Sequence, residues 1–175
     1  MDKQIERFRN RMEAVRAEVH LVTKENLTEK RISLCQEKNL QNLLYSPTGP
    51  LEKPMATAWQ QHAEAPRLVT HETDVDEQKE EIFFGIDATI TSTRSGIADT
   101  GTLIIWPTAD EPRSLSLVPP VHFALLEVGN LHNTFAEVLE KRTGAVRCQP
   151  MPCLSPVHQN LPISNRHWPM AFMDR

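Results

Sequence analysis

Long apolar runs are missing from this chain of 175 residues. None approaches the roughly 20 residues that cross a bilayer, which excludes a membrane helix as the organising element. Basic excess is missing too. Lys and Arg number 19 against 23 Asp and Glu, for a formal charge of −4, and no Lys/Arg cluster alternates with stacking aromatics, so nucleic acid is not an expected partner. No G-x-G-x-x-G run opens a dinucleotide site. Cysteine is scarce at three, an odd number without a secretion signal, which speaks for a reducing compartment and against a disulfide framework. The opening MDKQIERFRNRMEAV is charged and helical, unlike the apolar core of a leader, and the chain reads as cytoplasmic. Through residue 144 Cys35 stands alone, so no cysteine set there can ligate an iron–sulfur centre. A composition of 39% hydrophobic and 24% charged residues fits one globular domain.

Apolar spacing lays out that domain. Ile5, Phe8, Met12, Val15, Val19 and Val22 recur at intervals of three and four and predict a first amphipathic helix, packed on its own domain. A second helix runs from Thr28 to about Lys38, followed by a short buried strand at Leu43-Leu44-Tyr45 and a Pro/Gly loop. A third helix is expected within Pro54 to Ala63, with its proline in the first turn, and Arg67 to Thr70 is the strand after it. Six of the ten residues from Glu72 to Glu81 are acidic and read as a solvated face or linker. Strands are then expected at Ile86–Thr93, Leu103–Trp106, Leu115–Leu117 and Phe123–Val128. A last helix carries Leu131, Phe135, Val138 and Leu139 and closes near Gly144. Helix and strand alternation followed by close strands predicts a three-layer α/β domain with a largely parallel sheet and some antiparallel insertion. Ligands of such sheets sit at the carboxyl ends of the strands, where the loop from Gly96 to Gly101 is placed.

That loop opens the most informative stretch, GIADTGTLIIWPTADEPRSLSLVPPVH. Asp99-Thr100-Gly101-Thr102 joins an acid, two hydroxyls and a glycine ahead of an apolar strand. Gly101 frees the backbone for positive φ, and exposed N–H groups in such a turn can form an anion-binding nest. Thr100, Gly101 and Thr102 would then supply N–H and O–H donors. Arg113 would clamp a carboxylate or phosphate, Asp99 would act as acid, base or orienter, and His122 would move a proton near neutral pH. The same residues also fit a plain structural role: Asp99 fixing the turn, Arg113 capping the strands, His122 satisfied in the core.

The run from Gly96 through Asp99, Thr100 to Thr102, Pro112-Arg113, Ser116-Leu117 and Pro119 to His122 resembles the lactate-utilisation protein C family, also called the LUD-domain or YkgG-like family. The likeness covers roughly residues 1 to 140. It implies the three-layer, Rossmann-like α/β fold shared with sugar-phosphate isomerases and coenzyme A transferases. It further implies a role as accessory subunit of an iron–sulfur L-lactate oxidation system, with no cofactor on this chain and the clusters on partner subunits. Asp99 departs from the glutamate common before Thr-Gly-Thr in that family, and its carboxylate reaches one methylene less far. The alternative is an enzyme that binds a small anionic or coenzyme A-like substrate at the Asp99–Thr102 loop.

Beyond Gly144 the pattern fails. Pro150, Pro152, Pro156, Pro162 and Pro169 interrupt any helix, no glycine follows, and no apolar period survives. Shifting the codons from Cys148 to Arg175 by one register permits MPTNALLISGPSKSADIQQTLAYGIHGP, which looks like the family's ending. A frameshift between Glu140 and Val146 is therefore expected, leaving 1–144 as an incomplete LUD-type domain without its C-terminal strand and helix, and 145–175 as a foreign, disordered tail in a truncated, poorly folding copy. Cys148, Cys153, His158 and His167 carry a His-x8-His spacing wider than that of zinc fingers, so no metal site is expected.

Overall fold

The computed structural model describes residues 2–23, 25–46, 59, 62, 64–70, 84–143, 154–155 and 170–174. Helix α1 (Asp2–Ala14) buries Ile5, Phe8 and Met12, and each such side chain stabilises by about 2 kcal/mol on leaving water. The predicted helix is shorter than its apolar spacing. Arg16 takes φ 66°, the Ala17 N–H donates to the Met12 carbonyl at 3.0 Å, and strand β1 (Glu18–Val22) begins. Val19 and Val22 are therefore strand residues. Three positions apart on a strand they face opposite ways: Val19 packs with α1 and Val22 with the core on the other side. A sheet buried on both faces produced the three-residue interval that looked helical.

Helix α2 (Leu27–Glu37) ends in a Schellman arrangement. Asn39 sits at φ 55°, with its N–H on Gln36 O at 3.0 Å and the Leu40 N–H on Cys35 O at 2.8 Å, so the last carbonyls keep partners. Strands β2 (Asn42–Tyr45), β3 (Arg67–Thr70) and β4 (Ala88–Ser92) follow. The expected helix over 54–63 and the acidic run 72–81 fall outside the described residues, apart from Trp59 and His62. Trp59 is buried and donates its indole N–H to the Pro66 carbonyl at 2.8 Å. Next come β5 (Ser95–Ile97), β6 (Thr102–Ile104), a one-turn helix α3 (Ser114–Leu117) and β7 (Val121–Glu127). A 3-10 turn (Val128–Asn130), β8 (Leu131–His132) and α4 (Phe135–Thr143) complete the body. Segment 115–117 was expected as a strand and is helical. Pro112 starts a turn in which Leu115 N–H bonds the Pro112 carbonyl and Ser116 N–H and Oγ–H bond that of Arg113, so the Ser116 hydroxyl serves the backbone of the turn.

The main sheet runs β1-β10-β7-β4-β2-β3, where β10 is Met170–Asp174, with every pairing parallel. Its two faces separate cleanly. Val22, Leu43, Tyr45, Ala88, Ile90, Val121 and Phe123 form one core with α2 residues Leu34 and Cys35. On the opposite face Val19, Ala124 and Leu126 meet α1, and Leu44 meets Leu115 of α3. Helices on both sides give the three-layer α/β architecture. The insertion is a second sheet, β8-β5-β6-β9, with β9 at Leu154–Ser155; β6 pairs antiparallel with β5 and β9 while β5 and β8 run parallel, and its Ile97 and Ile104 pack under Val138 of α4.

The segment beyond 144 was expected to stay outside the fold, and in two places its backbone does not. Leu154–Ser155 (β9) pairs antiparallel with β6, and Met170–Asp174 (β10) lies between β1 and β7, with five register pairs on each side. Four of the five residues in the run MAFMD are apolar. Two parallel edges whose N–H and C=O groups would otherwise lack partners hold it.

Candidate functional site

The sheet's connections diverge between β4 and β2: β2 leads outward to β3, whereas β4 leads the other way to β7. Such a switch point leaves a crevice at the carboxyl ends, here beside Ser46 and Ser92. Glu111, unremarked in the sequence, closes over the end of β4. Its carboxylate accepts the Ser92 Oγ–H at 2.5 Å and the Ser92 N–H at 3.3 Å, while its own N–H bonds Thr108 Oγ1 at 3.0 Å. Arg113 follows two residues later, exposed, at the start of α3. No hydrogen bond or ion pair of its guanidinium is found among the described residues.

The acid-plus-hydroxyl turn lies elsewhere. Gly96 is close to the end of β7, where an added Cβ would stand 2.7 Å from Leu126 Cδ2. The chain then runs back along α1, and Gly101, at φ 63°, would set a Cβ 2.6 Å from Arg11 Cβ. Arg11 lies in the last turn of α1, just before β1 starts, so the turn reaches the amino end of the sheet rather than the carboxyl end expected. Asp99 forms an ion pair with Arg7, the two side chains being 40% and 53% exposed, and its N–H bonds the Asn133 carbonyl at 3.0 Å. Thr100 and Thr102 hydroxyls bond each other at 2.8 Å.

His122 is a buried residue of β7, on the sheet face shared with α1 and α3, and its Nε2 meets Thr91 Oγ1 at 2.8 Å. Burial pulls its pKa from 6.5 down to about 4, so the ring is neutral at neutral pH. Beside it Thr89 Oγ1 donates to the Leu115 carbonyl, tying α3 to the sheet. The structure thus brings Asp99, Thr100, Gly101 and Thr102 together and sets Arg113 and His122 apart from them. Among the described residues no hydrogen bond or ion pair joins Arg113 or His122 to that turn. Three or more His, Cys, Asp or Glu gather as a possible metal site nowhere among the described residues, and no helix there is long and apolar enough to cross a membrane.

This chain belongs to the LUD domain family, whose profile matches residues 5–159. It is 36% identical over 135 residues to an uncharacterised protein of Neisseria meningitidis serogroup B, a match that covers 74% of this chain and 54% of the relative, so the chain spans about half that protein's length. The crystal structure of a DUF162 family protein from Deinococcus radiodurans superposes with a TM-score of 0.70 at 20% identity, covering 99% of this chain and 98% of that one. At that identity the likeness establishes the fold, and it agrees with the Rossmann-like architecture.

Proposed function

We propose that the chain is an accessory subunit of an iron–sulfur L-lactate oxidation system whose clusters reside on partner subunits. The observation that carries this reading is the family match across residues 5–159, which takes in the whole Gly96–His122 stretch. The exposed Arg113 at the carboxyl side of the sheet supports it, because its guanidinium, without a partner among the described residues, offers a planar fork to a carboxylate. Co-purification tests the reading: the chain should retain a cysteine-rich iron–sulfur partner, and Arg113→Ala should slow L-lactate oxidation by the assembly without lowering the chain's melting point. Absence of any such association would overturn it.

The second reading, an enzyme taking a small anionic or coenzyme A-like substrate at the Asp99–Thr102 turn, has less support. Asp99 is already neutralised by Arg7, and the threonine hydroxyls satisfy each other. The exposure of both members of that ion pair keeps the turn reachable, and unchanged ligand binding in Asp99→Asn would remove the basis for a site there.

A further inference from the structure

Arg31 is a charged residue in the wrong place. It lies on α2 with 1% of its surface exposed, among the largest fully buried side chains of the protein. Its Nε and Nη1 are buried with no hydrogen-bond partner among the described residues. A guanidinium keeps its proton at any ordinary pH, and a buried charge is tolerated only when paired and hydrogen-bonded.

No described neighbour supplies the missing charge. The helical positions three and four residues away are Leu27, Thr28, Leu34 and Cys35, none acidic. The sheet face under α2 presents Val22, Leu43, Tyr45, Ala88, Ile90, Val121 and Phe123. Cys35 could serve only as a thiolate, and burial pushes its thiol up to about 12.

Direction adds a second argument. Lys38, just past the end of α2, reaches Glu18 at the start of β1 with 2.7 Å between Nζ and Oε1, so α2 runs down from the carboxyl edge of the sheet to the amino edge. Helical side chains lean toward their helix N-terminus. Arg31, in the second turn, therefore leans toward the carboxyl edge, where open parallel sheets hold their ligands.

We propose that Arg31 is the fixed cation of an oxyanion site beneath the first turns of α2, one that takes a small carboxylate or phosphate group on its open N–H donors. The site is distinct from the Asp99–Thr102 turn and does not depend on assembly with iron–sulfur partners, so loss of either reading leaves the other standing.

The test is a titration of the 15N-labelled full chain with inorganic phosphate and, separately, with sodium acetate at matched ionic strength. The Arg31 Nε–H resonance is assigned by its loss in Arg31→Lys. A saturable shift of that resonance, with a rise in melting temperature that is absent in Arg31→Met, is expected for at least one anion. Response to phosphate alone identifies a phosphate site, response to acetate alone a carboxylate site, and response to both a general oxyanion site. No shift with either anion, or an equal rise in melting temperature in Arg31→Met, would overturn the proposal. Should Arg31→Met fail to fold, the wild-type resonance decides alone.

Discussion

Replacing Gly101 by alanine separates a packing role from a ligand role in the Thr-Gly-Thr turn. At φ 63° an alanine costs about 1–2 kcal/mol, because its Cβ crowds the following carbonyl. The new methyl would also stand 2.6 Å from Arg11 Cβ, 3.1 Å from Arg11 C and 3.2 Å from Met12 N. Two of those atoms are helix backbone, which yields little, and overpacking of this kind costs about 1–3 kcal/mol. The two effects together come to about 2–5 kcal/mol, and the melting midpoint of a chain this size should fall by about 5–15 °C. Gly129 is the internal control: nothing lies within 4 Å of an added Cβ there, and alanine should stay within about 0.5 kcal/mol of wild type. Thermal melts followed by circular dichroism read both. A Gly101→Ala midpoint within about 2 °C of wild type would refute the close approach of the turn to α1.

Two further outcomes follow from buried or central groups. Burial holds His122 near about 4 against 6.5, so as pH falls the unfolded chain takes up the proton first. The stabilisation is complete above about pH 6.5 and drains away toward about pH 4; it amounts to about 3 kcal/mol, of which about 2 kcal/mol is lost by about pH 5. His122→Gln, which can keep the bond to Thr91 without titrating, should flatten the difference between urea midpoints at about pH 7 and about pH 5; an unchanged slope argues against it. Deleting residues 170–174 removes five register pairs on each side, or about ten ladder bonds at about 1 kcal/mol each, comparable with the whole stability of a domain. The shortened chain should aggregate without a cooperative melt, and a soluble monomer with wild-type circular dichroism would contradict the strand's central position.

Local chemistry made much of this fold legible before any coordinates. The strand at Arg67–Thr70, the second helix, expected to about Lys38 and found to end at Glu37, and the parallel character of the main sheet all follow from spacing, turn residues and alternation. The failures have physical causes. Val19 and Val22 mimic a helix because a strand packed on both faces buries residues three apart, and Ser114–Leu117 mimics a strand because an apolar-polar alternation over four residues is too short to exclude a single turn stabilised by Pro112 and Ser116. At the candidate site, sequence grouped Asp99, Arg113 and His122 by nearness along the chain, whereas a hairpin, a helix start and a core strand carry them to separate places. Arg31 was illegible for a different reason: a cation on an amphipathic helix reads as solvated, and only its burial shows otherwise.

The position of β10 bears on how the protein is made. The strand that joins β1 to the rest of the main sheet comes later in sequence than every other strand of that sheet, so until it is made β1 lacks the partner it has among the described residues and β7 presents an open border on that side. Such borders recruit other chains, and contacts this distant in sequence form slowly. Production in the cell therefore turns on what shields two raw edges until Asp174 has emerged from the ribosome, and holdase supply or growth at lower temperature should raise the soluble yield more than any change to the surface of the finished molecule.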